Sequence, residues 1–217
     1  MKLVCAAALA VCSVARLSAQ TASAATPTEP AVRLRPFVLA TEQRFTAGTT
    51  FNATLGSRNA PFFGGGVEVV LRRGVFVDAT VSHLGKTGQR SFVNNGEIFQ
   101  LGIPLKVTMT PVEVTGGYRF TIPGQARVVP YAGAGVGWYS YRETSDFAAS
   151  GENVDMTHAG FLLVGGAEVR LQKWIRAAAD AQYTAVPGIL GQGGLSKDLG
   201  EKNLGGLAAR IRVILGR

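Results

Sequence analysis

Two neighbouring runs, residues 161–171 and 175–184, restrict the possible folds of this chain more than any other stretch. In FLLVGGAEVRL, Phe161, Leu163, Ala167, Val169 and Leu171 share one parity and Glu168 and Arg170 the other. In IRAAADAQYT, Ile175, Ala177, Ala179, Ala181 and Tyr183 alternate with Arg176, Asp180, Gln182 and Thr184. Side chains alternate across a strand with period two. The pair reads as a β-hairpin with one apolar face and one charged face. Each run has about ten residues, the length at which a tilted strand crosses a bilayer. A closed barrel in a membrane gives the apolar face acyl chains and the charged face a lumen.

The remaining chain agrees with many strands. Its 217 residues suit one domain, and no run of about 18 apolar residues exists after the first 15 positions, which excludes a helical span. Residues 1–19 read as a signal peptide, with Lys2 as the charged start, an apolar core over 3–14 and a small-residue cut site at Leu17-Ser18-Ala19. Ala22-Ser23-Ala24 offers a later cut, at 24. Residues 20–32 read as a flexible leader and 33–217 as the barrel domain. Both cysteines, Cys5 and Cys12, fall inside the signal, so the mature chain carries no thiol chemistry. Val11 before Cys12 is too large for a lipidation motif. The net charge is +8. In an exported chain that points to anionic lipid headgroups and away from nucleic acid.

Strands are expected at about 35–45, 61–72, 75–84, 103–120, 128–142, 161–171, 175–184 and 206–215, with polar connections over 46–60, 85–100, 143–155 and 187–204. On the first, Phe37 and Leu39 face one way and Glu42 and Arg44 the other. On the fourth, Leu105, Val107 and Met109 are odd while Val112, Val114, Tyr118 and Phe120 are even, so a bulge is expected near Pro111. The faces of the fifth strand, rich in Ala and Gly, stay open. Eight strands with alternating long and short connections predict an all-β, antiparallel, up-and-down transmembrane barrel. The long loops lie at one end and the short turns at the other. Aromatic residues fall into two belts. Phe45, Phe62, Phe63, Trp138, Tyr139, Tyr141 and Tyr183 lie towards the long-loop end, and Phe37, Tyr118, Phe120, Tyr131 and Trp174 towards the short-turn end.

The ionisable residues of the polar parity are Glu42, Glu68, Asp78, Glu113, Glu168 and Asp180 against Arg44, Arg72, Lys106, Arg119, Arg170, Arg176, Arg210 and Arg212. Arginine dominates the cations, and its planar fork suits buried pairing with carboxylates. An eight-stranded barrel is just wide enough for side chains to fill. These residues are therefore expected to form an ion-paired plug, with Glu168 and Arg176 as one cross-strand pair. No catalytic, cofactor or metal site is expected. Gly133, Gly135 and Gly137 lack a following helix and read as close strand packing, not a dinucleotide loop. His83 and His158 have no carboxylate at ligand spacing.

PYAGAGVGWYSY at 130–141, GGAEVRLQKWIRAAADAQY at 165–183 and the closing GGLAARIRVILGR resemble the small outer-membrane β-barrel superfamily, the group of the OmpA transmembrane domain, OmpX and OmpW-like proteins. The resemblance implies an outer-membrane location, export by the signal peptide, contact with outer-membrane lipid and lipopolysaccharide, assembly by the barrel-assembly machinery, and a monomer. Such barrels usually end on an aromatic residue, whereas this chain ends Leu215-Gly216-Arg217. Two other readings remain open. A secreted lipocalin-like barrel would reverse the faces and hold an apolar ligand. A lipid A-modifying enzyme would need a histidine–serine pair, and adjacent Ser82 and His83 point to opposite faces.

Overall fold

The computed structural model describes residues 32–95, 97–124, 127–147, 153–192 and 194–216. The signal-peptide reading and nearly all of the leader lie outside these residues. The chain forms eight strands in order: β1 (Val32–Phe45), β2 (Asn59–Leu71), β3 (Val75–Asn94), β4 (Glu97–Arg119), β5 (Val128–Thr144), β6 (Val154–Arg170), β7 (Ile175–Ala185) and β8 (Gly206–Leu215). Each pairs antiparallel with its neighbour, and β1 pairs with β8 from Phe37↔Ile214 to Phe45↔Gly206, closing the barrel. Closure removes both sheet edges, which a bilayer would leave without hydrogen-bond partners.

The outer wall is apolar. Val38, Val77, Val81, Val136, Leu163, Val169, Ile211 and Val213 all point outward and are exposed. This orientation removes the lipocalin-like reading, which required these side chains in the centre. Inward positions on the Gly-rich β5 are odd, from Tyr131 to Tyr141. Gly137 faces Tyr139 and Glu113, where a β-carbon would come within 3.0 Å of the tyrosine ring and 3.1 Å of Glu113 Cγ. The glycine run thus gives lumen side chains room.

Three expectations about the chain path change. The stretch 85–100 is no loop, because β3 and β4 continue as a paired hairpin to Asn94↔Glu97. Residues 46–60 contain a helix, α1 (Gly48–Leu55), and 187–204 a short one, α2 (Gly194–Asp198). Pro111 carries no bulge: odd residues of β4 face inward on both sides of it, and the β3–β4 register shift lies at Gln89/Ser91. Leu105, Val107 and Met109 therefore point into the lumen. The lumen is charged in its lower part and apolar in its upper part, so one polarity does not mark one face along the whole strand.

The apolar upper lumen is a lid. Phe45, Phe62, Leu84, Val107 and Met109 from the strands pack with Phe51 and Leu55 of α1 and with Val186, Ile189 and Leu204 of the β7–β8 connection. Phe45 stacks on Phe51 with ring centroids 4.1 Å apart. The Glu201 carboxylate accepts hydrogen bonds from the Thr49 and Thr50 backbone N–H groups at 3.1 and 2.8 Å, joining the two long connections at the α1 N-terminus.

Candidate functional site: the ion-paired lumen

Below the lid, five arginines and five carboxylates fill the barrel. Near the short-turn end, Glu168 is held by Arg35 (2.8 Å), Arg119 (2.8 Å) and Arg176 (2.7 Å). Glu68 pairs with Arg35, whose Nε donates at 2.8 Å, and with Arg119 at 3.4 Å. Nearer the middle, Asp180 takes Arg210 at 2.5 Å and Arg212 at 3.2 Å, and Asp78 takes Arg212 at 3.4 Å. Glu113 accepts hydrogen bonds from Tyr139 Oη (2.7 Å) and Gln182 Nε2 (2.9 Å), with Arg210 at 3.9 Å. The lower group has one cation in excess and the upper group one anion in excess, so the two groups together are neutral.

The strands bring these residues together through their register. Arg35 lies opposite Glu68, Glu68 opposite Asp78, and Asp180 opposite Arg210. Arg212 also lies over two rings, 5.2 Å from the Phe37 centroid and 5.0 Å from Tyr131. A desolvated guanidinium gains from such faces. Tyr131 donates to Asp180 at 2.5 Å. Arg212, Glu68 and Glu168 are among the most deeply buried side chains of the chain.

Glu68, Asp78, Glu113, Arg119, Glu168, Arg176, Asp180, Arg210 and Arg212 thus share one lumen network, and Glu168 meets Arg176 across the β6–β7 hairpin. Five residues expected there are elsewhere. Glu42 and Arg44 are exposed on the outer face of β1, because that strand faces inward at odd positions. Near the long-loop rim the outer face leaves the apolar band, and charge there is no sign of a lumen. Arg72 is exposed in the turn Arg72–Gly74, beyond the end of the β2 alternation. Lys106 points outward because β4 keeps its register through Pro111. Arg170 has inward parity but lies exposed at the short-turn mouth.

Sequence reasoning missed Arg35, which binds both lower glutamates. The apolar even series Leu34, Val38 and Ala40 carried the signal for it. Among the aromatics, Phe63, Tyr118, Phe120, Trp138, Trp174 and Tyr183 point outward and are exposed. Phe37, Phe45, Phe62, Tyr131, Tyr139 and Tyr141 are buried inside, so Phe37 and Tyr139 are not interface residues. Phe37 follows the odd inward parity of β1, and Tyr139 that of β5, where its hydroxyl donates to Glu113. Ser82 lines an interior cavity while His83 is exposed and bonded to Thr110 Oγ1 at 3.0 Å. Among the described residues no cluster of His, Cys, Asp and Glu is arranged to hold a metal.

Solved structures of similar fold include the N-terminal β-barrel domain of Pseudomonas aeruginosa OprF, at 15% identity over 84% of this chain and 97% of that one, TM-score 0.43. P. aeruginosa OprG is similar at 10% identity over 86% and 93%, TM-score 0.49. So is Yersinia pestis Ail, at 10% identity over 85% and 96%, TM-score 0.49. No curated protein matches the chain in sequence. The outer membrane protein beta-barrel domain family matches residues 5–198, and this chain, a closed eight-stranded barrel, belongs to that outer-membrane family.

Proposed function

We propose that this protein is a non-conducting, non-enzymatic outer-membrane barrel that acts as a rigid scaffold and through its long-loop end. One observation carries the reading: the lumen is blocked twice, by the neutral arginine–carboxylate network and by the apolar lid above it. A blocked lumen supplies rigidity and no path for solute. What the barrel presents outward is then the long β3–β4 hairpin, whose tip exposes Phe92 and Phe99 stacked at 5.3 Å. Outer-membrane lipid and lipopolysaccharide would surround the wall, an N-terminal signal peptide would export the chain, and the barrel-assembly machinery would insert it as a monomer.

Planar-bilayer conductance tests the reading. The refolded wild type should give no stable ohmic steps. Glu168→Ala and Arg176→Ala loosen the lower network but leave the lid, so both should stay silent. Leu55→Asp combined with Glu168→Ala breaches both blocks and should show flicker. A wide ohmic pore in the wild type would overturn the proposal.

A further inference from the structure

The short-turn mouth of the barrel gathers a cluster of cations. An open cleft of about 520 Å³ lies there, lined by Arg33, Arg127, Arg170, Lys173 and Arg176, with no described acid among its lining residues. The connections that form this end, residues 72–74, 120–127 and 171–174, contain no Asp or Glu. Among the described residues, the lower lumen carboxylates Glu68 and Glu168 are buried and already held by Arg35, Arg119 and Arg176.

The backbone holds these like charges side by side. Arg170 and Arg176 are direct cross-strand partners on β6 and β7. The Arg170 N–H donates to the Arg127 carbonyl at 3.0 Å, fixing a second arginine beside the first. Like charges directly opposite each other destabilise a sheet. Of this cross-strand pair, Arg176 is paired with Glu168, a carboxylate it shares with Arg35 and Arg119. Exposed Arg127, Arg170 and Lys173 stand around an open cleft of a size that admits a tetrahedral oxyanion. Guanidinium forks bind phosphate oxygens in paired hydrogen bonds, and lysine adds a mobile point charge.

We infer that this mouth is a phosphate-binding site, with Arg127, Arg170 and Lys173 as its principal ligands. The phosphate belongs either to a phospholipid headgroup of the adjoining leaflet or to a soluble phosphate compound. Exposed Leu171 and Trp174 beside the cleft give a lipid an apolar footing as well.

The test uses the full barrel refolded in nanodiscs of phosphatidylcholine, with pyrophosphate as the soluble probe and phosphatidylglycerol as the lipid probe. Pyrophosphate binding is read by titration calorimetry against sodium chloride at matched ionic strength. Retained phosphatidylglycerol is counted by native mass spectrometry. The variants are Arg127→Gln/Arg170→Gln/Lys173→Gln and, at the opposite end, Lys86→Gln/Lys106→Gln/Lys202→Gln. The wild type and the opposite-end variant should bind at least one probe. The mouth variant should lose roughly tenfold or more in affinity for each charge-assisted contact removed. Phosphatidylglycerol that displaces pyrophosphate identifies the headgroup as occupant, and pyrophosphate binding unaffected by it identifies a soluble phosphate. Should the triple variant not refold, Arg170→Gln alone carries the comparison. Binding of neither probe above the chloride control, or equal binding by the mouth variant, overturns the site. The conductance result bears on the lumen only and is independent of this outcome.

Discussion

Replacing Glu168 by alanine tests the lumen at its most connected point. The carboxylate is fully buried and holds three arginines at 2.7–2.8 Å. In the wild type, three guanidinium groups share two carboxylates in the lower group. Without Glu168 they share only Glu68, and the local excess grows from one positive charge to two. Two unit charges 4 Å apart interact by about 4 kcal/mol at an effective dielectric of 20. Stranding one side of a buried ion pair costs about 3–5 kcal/mol. The expected loss for Glu168→Ala is therefore in that range. With an m-value of about 2 kcal/mol/M, the urea midpoint should fall by roughly 2 M. The assay is urea unfolding of the barrel in lipid vesicles, followed by the fluorescence of the outward-facing Trp138 and Trp174. Glu168→Ala/Arg119→Met returns the excess to one charge and should recover part of the loss. A midpoint shift under about 0.5 M for the single variant, close to 1 kcal/mol, would refute the reasoning, since it would mean that water screens the network.

Two further outcomes follow from the wall and the lid. Val77 lies on the outer face of β3 inside the apolar band, while Leu207 lies near the long-loop end of β8. Val77→Lys should cost about 2–4 kcal/mol and Leu207→Lys about 0–1, because the penalty depends on depth in the bilayer; the same urea assay separates them. At the lid, burial raises the affinity of Glu201 for a proton, but hydrogen bonds from Thr50 and Thr49 outweigh it and hold its carboxyl below the ordinary glutamate range. Its folded-state value is the depressed one, so its contribution is present above the ordinary range and lost as pH falls through the lowered value. The protection of the Thr49 and Thr50 amides, their exchange rate taken relative to the intrinsic rate at each pH, should fall in that acidic window. In Glu201→Gln that pH dependence should be absent, and persistence of the same profile would remove Glu201 as the cause.

Strand parity was legible in β3, β6, β7 and β8, where an apolar outer face such as Val75, Val77 and Val81 runs the length of the membrane band against a polar lumen face. Asp78, Glu168, Asp180 and Arg210 could be placed from that contrast alone. It failed for β1 and β4 because each crosses the level at which the contrast reverses. Above that level the lumen is filled by Leu105, Val107 and Met109, and the outer face carries Lys106 and Thr108. Nothing in one strand read alone separates such a reversal from a bulge. Only pairing in the closed sheet does, and pairing is non-local.

The reversal has a physical cause that can be located. On β4 the outward series changes from Val112 and Val114 to Thr110, Thr108 and Lys106. On β1 it changes from Val38 and Ala40 to Glu42 and Arg44, and on β3 from Val81 to His83. These changes lie close together across neighbouring strands: Ala40 is opposite Phe63, Phe63 opposite His83, Val81 opposite Val112, and Val112 opposite Trp138. Exposed Phe63 and Trp138 mark that same ring, where amphipathic and aromatic side chains meet headgroups. The hydrocarbon is therefore expected to end near this ring on the long-loop side, with the lid and most of the β3–β4 hairpin above it in headgroups and water. Single cysteines placed on the outer face of β4 test the level directly. In vesicles, Thr108→Cys should react readily with a charged, water-soluble maleimide and Val114→Cys should not, with the step between positions 110 and 112. Equal labelling at 108 and 114 would mean that the apolar band has another boundary, and the reversal of polarity along β4 would need a cause other than the edge of the bilayer.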